Sequence, residues 1–596
     1  YAHARINRID TTTAESMPGF TAIYTGEDID LPPLPYAYQA AGVQNNVNTP
    51  TALAKGEVHW VGDGVAVVLA ETVAQARDAA EAIDVDYEPL PAVVDAAEAV
   101  ADGAPQLHEN APNNIVFTWT CGRKEGTEEA LQSADVVVRQ ELRNQRLIAV
   151  PMENRAVLAR FDEGTEELTL WLSSQAPHVH RLLLAAFVLG IPEQNIRVIA
   201  PDLGGGFGSK IFLYPEYVLA CWLARHVGRP VKWIETRSEA NVATAQGRDH
   251  VTTIEVGAKR DGTVTALNVS TYANIGAYLS TIAGGIPTTL YGRMLAGVYT
   301  IPNIHAEVSA VYTNTAMVDA YRGAGRPEAA YVVERAMDLV ADELGMDPVE
   351  VRRKNFIPAD AFPYDTGIGM LPYDSGDYDK ALSRALDILG YEELKAEQER
   401  LRQENTGKHL GIGFSTYVET CGIAPSAWMG SEGWGAALFE SANVKVHLTG
   451  KVVVTTGSMP HGQGHETTFS QIVADKLGVS VDDVQVKWGD TLGTPFGYGT
   501  YGSRSLTVGG EAIVRSTNKI VDKAKRLAAH LLEVGEEDIE WADGKAFVKG
   551  SPDRVQTIQE LATSAAVAYN LPAGMEPFLD ETTYYDPPNC TFPFGT

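Results

Sequence analysis

The chain is poor in cysteine and in basic charge, and it lacks any long apolar run. Its four cysteines, Cys121, Cys221, Cys421 and Cys590, lie far apart without a C-x-x-C pair. That pattern fits neither a zinc ribbon, nor a cysteine-held cluster, nor a disulfide-stapled secreted fold, and the cytoplasm is the expected compartment. Lys and Arg number 47 against 77 Asp and Glu, a formal charge of −30. Such a field repels phosphate backbones and anionic lipid heads, so neither nucleic acid nor a membrane surface is an expected partner. The longest apolar stretch, Leu182 to Ile191, is far shorter than the roughly 20 residues that span a bilayer, and no membrane span is expected. There is no G-x-S-x-G elbow, no H-E-x-x-H and no cysteine beside a histidine motif, so no nucleophile constellation emerges. No short period repeats, which excludes solenoids and propellers.

What remains is an ordinary folded composition, 45% apolar and 21% charged over 596 residues, long enough for several cores. The chain opens on Tyr1 rather than Met and stops at Thr596 without a closing helix, and it is expected to be a piece of a longer polypeptide. Strand-length and helix-period segments alternate, which predicts an α+β fold. From Gly64, GVAVVLA, ETVAQARDAAEAI and DVDYEPLPAVVD suggest a βαβ-like unit, and the turn Asp102 to Pro105 closes a small α/β domain over residues 1–102. A second domain, 103–365, carries strands at 168–174 and 196–202 around a helix ended by Gly190, and a long helix from Glu328 to Leu344. A Pro- and Gly-rich connection, Pro358 to Asp377, leads into a third, 366–596. This repeats the texture, with a helix from about Glu466 to Leu477 and another from about Glu511 to Val534.

The chemistry-bearing segments are loops. Gly204 to Lys210, GGGFGSK, follows a strand and precedes a helical segment, like a phosphate cradle, yet it matches neither a Walker A loop nor a dinucleotide fingerprint. Four glycines around Phe207 let backbone approach a bulky ligand closely, or simply make a turn. His461 to Thr468, HGQGHETT, opens a helix. Gly462 and Gly464 weaken a His-x-x-x-His zinc face, leaving an anion cradle at the helix N-terminus or a polar cap. Gly497 to Ser505, GYGTYGSRS, joins small hydroxyls to Arg504, whose fork could grip a diphosphate. Ala320 to Arg326, AYRGAGR, carries two arginines on a glycine-rich turn, and Gln175 in SSQAPH ends a strand where its amide could donate into a site.

Taken in order, SSQAPH at 173, PDLGGGFGSK at 201, AYRGAGRPEAA at 320, GSMPHGQGHETT at 457, GDT at 489 and GTYGSRS at 499 resemble the molybdopterin-binding large subunits of the xanthine dehydrogenase and aldehyde oxidase family, in the branch of the aerobic carbon monoxide dehydrogenases. The resemblance covers essentially the whole chain and makes residues 1–102 an α/β hammerhead domain followed by two molybdopterin-binding domains. It implies a molybdenum hydroxylase, oxidising an aldehyde or N-heterocycle with water as oxygen donor. The cofactor would be molybdenum–molybdopterin cytosine dinucleotide, held through its dithiolene without a protein ligand to the metal. Electrons would pass to a [2Fe-2S] small subunit carrying two clusters and to an FAD-binding medium subunit, in a dimer of heterotrimers.

By the same resemblance, Gln175 donates to an oxygen ligand of the metal, and Gly205, Gly206, Phe207 and Gly208 line its loop. Arg322 stands beside the substrate. Gln463, Gly464, Thr467, Thr500, Ser503, Arg504 and Ser505 hold pterin and diphosphate. Two departures bear on substrate: Gly323 stands where carbon monoxide dehydrogenases carry a copper-binding cysteine, and Ile211 where xanthine dehydrogenases carry an acidic contact. The family's catalytic glutamate is expected beyond Thr596. Carbon monoxide oxidation, or a non-catalytic scaffold or maturation partner, are the alternative readings.

Overall fold

A computed structural model of the chain describes residues 1–369, 371–404 and 407–596. Met370, inside the expected connection, lies outside the described residues. The first 90 residues form two small antiparallel sheets: Ala4–Asp10 between Glu57–Val58 and Asp84–Pro89, and Phe20–Thr25 against Ala66–Ala70. The expected βαβ-like unit is therefore corrected, since strands 66–70 and 84–89 belong to different sheets. Neither strand is fully buried, and Asp84–Pro89 alternates between exposed and half-buried positions. Parallel crossover strands are covered on both faces, and an exposed strand of this kind pairs antiparallel at an edge instead.

Two genuine crossover units follow. Strand Glu167–Leu172 runs into helix Pro177–Leu183, continues as a π-type turn to Leu189, and returns as Ile196–Ile199 parallel to the first strand. Strand Val452–Thr456 likewise runs into helix His465–Leu477 and returns as the parallel strand Val484–Lys487. Each unit sits in a four-stranded sheet, and the two sheets meet edge to edge. Ala200 N donates to Gly489 O at 2.8 Å, Thr491 N donates to Val198 O at 3.0 Å, and Arg197 grips Asp490 with both Nε and Nη2. Loops leaving the carboxyl ends of the leading strands, 173–176 and 457–464, consequently open toward the same junction.

The largest core covers a five-stranded sheet, ordered 115–122, 303–312, 264–276, 250–258 and 136–144. Helix Arg326–Leu344 lies on it because Ala329, Val332, Val333, Ala336, Met337, Val340 and Ala341 recur at helical spacing, and Gly345 ends it at φ 64°. Val93, Ala96, Trp434 and Phe592 pack into the same core, which therefore draws on all three expected domains. Asp347 caps the next helix through Val349 N, with Pro348 in its first turn. In the last third, helices His465–Leu477 and Glu511–Leu531 cover the sheet 484–487, 452–456, 440–446, 579–585. No helix among the described residues is long and apolar enough to cross a membrane.

The sheet behind the 173–176 loop is anchored by a buried ion cluster. Arg155, 1% exposed, donates to Glu235 at 2.6 and 3.0 Å and to Glu216 at 3.2 and 3.3 Å, and lies 3.7 Å over the Tyr214 ring. Removing one partner of such a pair strands the other charge, a loss of about 3–5 kcal/mol. Arg155→Ala should lower the urea unfolding midpoint accordingly, and a midpoint within error of the wild type would refute the anchoring role.

Candidate active site

Five loops converge on one cavity of about 900 Å³. Gln175, 1% exposed, joins three of them. Its backbone N donates to Lys210 O at 2.9 Å, and its O accepts from Thr500 N at 3.0 Å. Its side-chain Oε1 accepts from Gly208 N at 3.0 Å and Lys210 N at 3.3 Å, while Nε2 donates to Thr500 O at 2.9 Å. Every atom of the side-chain amide but one N–H is thereby engaged. The turn that presents it is fixed locally: Ser174 Oγ accepts from Ala176 N and bonds His180 Nδ1, and Pro177 opens the following helix.

The glycines of the 204–210 loop are sites of close approach. A Cβ at Gly206 would lie 2.4 Å from Gln175 Oε1, and one at Gly208, φ 101°, would lie 2.3 Å from Ala320 O. Phe207 itself sits at φ 55° and lines the cavity, and its carbonyl accepts from Arg322 N at 3.0 Å. Lys210, fully buried, does not serve the cavity; it pairs with Glu153 at 2.9 Å, and Glu153 also accepts from Gly204 N at 2.7 Å. Burial lowers the Lys210 pKa.

The 320–326 turn is held by its backbone. Arg248 donates to Tyr321 O and Arg322 O and stacks on the Tyr321 ring, and Arg326 donates to Gly323 O at 2.6 Å. The Arg322 side chain is exposed, lines the cavity and makes no hydrogen bond or ion pair among the described residues.

On the far wall, helix His465–Leu477 begins at Gly464, φ 77°, and points its free N–H groups at the junction. Gln463 lines the cavity and bonds back to His461 through Oε1 and Nε2. Burial pushes the His461 and His465 imidazoles down to about 4, so both are neutral at physiological pH. Thr467 is exposed outside the lining, which receives Thr468 in its place; one residue turns a helical side chain by about 100°, a displacement that motif position alone does not resolve.

The 497–505 loop differs most from expectation. Thr500 and Ser505 share a hydroxyl bond at 2.9 Å and line the cavity, as does Ser503, whose Oγ donates to Glu419. Arg504 does not present its fork to a ligand, and that expectation is corrected. It is 1% exposed and donates to Glu440 at 2.7 Å, Gly499 O at 2.8 Å, Leu438 O at 2.7 Å and Phe439 O at 2.6 Å. A guanidinium buried this deeply needs a countercharge, and Glu440, also buried, supplies it. No local sequence signal marks Glu440. In the fold Gly457 and Gly497 make room for it, since a Cβ at these positions would lie 2.2 and 1.7 Å from its carboxylate.

Residues 107–356 and 384–596 match the molybdopterin cofactor-binding domain, and residues 1–91 match the aldehyde oxidase and xanthine dehydrogenase a/b hammerhead domain. The chain is 39% identical to the carbon monoxide dehydrogenase large chain of Hydrogenophaga pseudoflava, over all of this chain and 74% of that one. It superposes on the crystal structure of a Cu,Mo-CO dehydrogenase with TM-score 0.92 at 37% identity, covering all of this chain and 76% of that one. Quinoline 2-oxidoreductase from Pseudomonas putida gives TM-score 0.93 at 33% identity, again over the whole chain and 75% of its counterpart.

The two central side chains should separate in their effects on stability. Gln175→Ala unpairs Gly208 N, Lys210 N and Thr500 O and should lower unfolding free energy by on the order of 1–3 kcal/mol. Arg322→Ala, which removes no hydrogen bond or ion pair among the described residues, should stay within about 0.5 kcal/mol of wild type. Equal denaturation midpoints for the two variants would contradict this division.

Proposed function

Because the chain belongs to the xanthine dehydrogenase family of molybdenum-dependent oxidoreductases, on its carbon monoxide dehydrogenase branch, we propose that the cavity holds a molybdopterin cofactor and oxidises an aldehyde or aromatic N-heterocycle. The observation that carries this reading is the convergence of loops 173–176, 204–210, 320–326, 461–468 and 500–505 on one volume large enough for a dinucleotide-sized ligand. The residues fit such a group. Backbone approaches the cavity at glycines, a helix N-terminus faces it, and His465 Nδ1, on a lining residue, is buried without a hydrogen-bond partner among the described residues.

In this reading Gly464, Gln463 and Thr468 hold the pterin and its diphosphate from one side, and Thr500, Ser503 and Ser505 from the other, as the cytosine dinucleotide form requires. Arg504 contributes by fixing that loop. The bound cofactor supplies two-electron oxidation at carbon, with water as the oxygen source. Gln175 keeps one amide N–H to orient toward it, while Gly206, Phe207 and Gly208 shape the wall beside it. Arg322 donates its planar fork to negative charge developing on a substrate oxygen, where a lysine would offer only a point charge. Electrons leave to iron–sulfur and FAD subunits in a larger assembly.

Carbon monoxide oxidation is the second reading, favoured by the 39% identity to a carbon monoxide dehydrogenase large chain. The 323 position argues against the copper-bridged route. Gly323 sits at φ 97°, and a Cβ there would lie 2.3 Å from Pro327 Cγ, so a cysteine would not fit this turn as it stands. Cu(I) needs such a soft thiolate.

Elemental analysis of the purified assembly should find molybdenum near one per large chain and no stoichiometric copper, with turnover of an aldehyde or N-heterocycle. Copper at parity with carbon monoxide oxidation would overturn the substrate assignment. Arg322→Lys should keep its molybdenum while kcat falls by about 10², the scale of one lost charge-stabilising donor; wild-type kinetics would remove Arg322 from the mechanism.

A further inference from the structure

We propose that His3, Glu57 and His59 form a zinc site at the seam between the hammerhead domain and the domain that follows it. The arrangement is set by strand register. Ala4 pairs with Val58 and Arg5 with Glu57 in an antiparallel ladder, so continuing one step places His3 opposite His59. Alternation puts Glu57 and His59 on one face, and the cross-strand neighbour His3 joins them there. His3 Nε2 lies 3.7 Å and His59 Nε2 3.9 Å from Glu57 Oε2, and the three ligand atoms all fall within 4.8 Å of one another. Zinc bonds of about 2.0–2.2 Å in a tetrahedron set ligand atoms about 3.4 Å apart, which small side-chain rotations reach from here.

The second observation is a histidine prepared to bind. His3 is only 9% exposed, and its Nδ1 faces Pro91 O at 2.8 Å. A carbonyl only accepts, so Nδ1 carries the hydrogen and Nε2 holds a lone pair. That Nε2 is buried, without a hydrogen-bond partner among the described residues, and turned to the cluster. His59 Nδ1 bonds Tyr278 Oη at 2.9 Å and its Nε2 stands toward Glu57; the hydroxyl can accept from Nδ1, so a zinc ion at Nε2 would select the tautomer with its hydrogen on Nδ1. Outer-shell bonds on the distal imidazole nitrogen are how proteins fix metal-binding histidines. The surroundings hold the rings in place: His108 stacks on His59 with centroids 5.1 Å apart, and Asp63 accepts from His59 N at 3.0 Å.

Two imidazoles and one carboxylate with a fourth position left for water suit zinc. Glu57, partly exposed, gives the ion a route from solvent. None of the three residues lines the central cavity, so the site is separate from the molybdenum chemistry. The ligands lie on and beside the paired strands Ala4–Asp10 and Glu57–Val58, whereas Tyr278 and His108 come from the next domain. Zinc would thus tie the two strands together and steady the seam through the contacts of Tyr278 and His108 with His59.

The test uses the purified holoenzyme, stripped with a chelator and titrated with Zn²⁺ by calorimetry alongside elemental analysis. One equivalent of zinc per large chain should return, with a raised thermal unfolding midpoint. Because His3 is buried and its variants could misfold, the diagnostic substitutions are Glu57→Gln and His59→Gln, each expected to weaken zinc binding at least tenfold while molybdenum content is unchanged. Wild-type protein that takes up no zinc at micromolar concentration, or variants that bind it as tightly as wild type, would overturn the proposal.

Discussion

The site depends on one amide. Among the described residues Gln175 is the only point at which the loops 173–176, 204–210 and 497–505 are all in direct hydrogen-bonding contact, and it makes that contact with both its backbone and its side chain. Such a stitch is possible only where the other two loops bring backbone, and not side chains, to within bonding distance. That requirement explains the glycines: a Cβ at Gly206, Gly208 or Gly499 would fall 2.3 to 2.4 Å from a carbonyl or amide oxygen of the stitch or its neighbour. The part of the cavity wall beside Gln175 is therefore main chain. That part offers N–H groups at fixed positions and loses little on binding, because it has no rotamers to freeze.

The placement of this stitch follows from the two crossover units. Each sends its leading strand into a glycine- or polar-rich loop and then a helix, and the returning strands meet at Val198 to Ala200 and Gly489 to Thr491. Ligands bind open α/β sheets outside the carboxyl ends of their strands. Here two such ends are joined edge to edge, so one ligand can touch both. The buried Arg504–Glu440 pair then ties the last loop to the second sheet, in the way that Arg155 with Glu216 ties the first loop's sheet to its covering helix.

The crossover units and helix Arg326–Leu344 were legible in the sequence because each announces itself locally, through apolar spacing and a terminal glycine, as at Gly190, Gly345 and Gly478. The convergence of the loops was visible only through resemblance, since no local rule links position 175 to position 500. Direction was harder to read than location. Arg504 lies on the expected loop but turns inward, because Glu440, 64 residues away in sequence, supplies its countercharge. The small first domain misled for a related reason: strand propensity marks Ala66–Ala70 and Asp84–Pro89 correctly, but their partners, Phe20–Thr25 and Ala4–Asp10, are set by which faces remain exposed.

Charge distribution carries the last step. Three arginines line the cavity, and in a chain with 77 acidic side chains an arginine without a carboxylate is a matter of placement. Arg326 and Arg504 are buried and paired, as low dielectric demands. Arg322 escapes because its own backbone is pinned on both sides, by Phe207 O and by Arg248, on a turn that holds its side chain in the open volume. The net charge of −30 acts at long range and is screened beyond about 8 Å at physiological salt. Among the described residues the charged side chains that line the cavity are all arginines, of which Arg322 alone carries no ion pair, and the N-terminus of helix His465–Leu477 adds to the positive side. An acidic protein thus keeps a small, locally cationic chamber, in which negative charge on a ligand or a reacting oxygen is stabilised by groups that need not move to meet it.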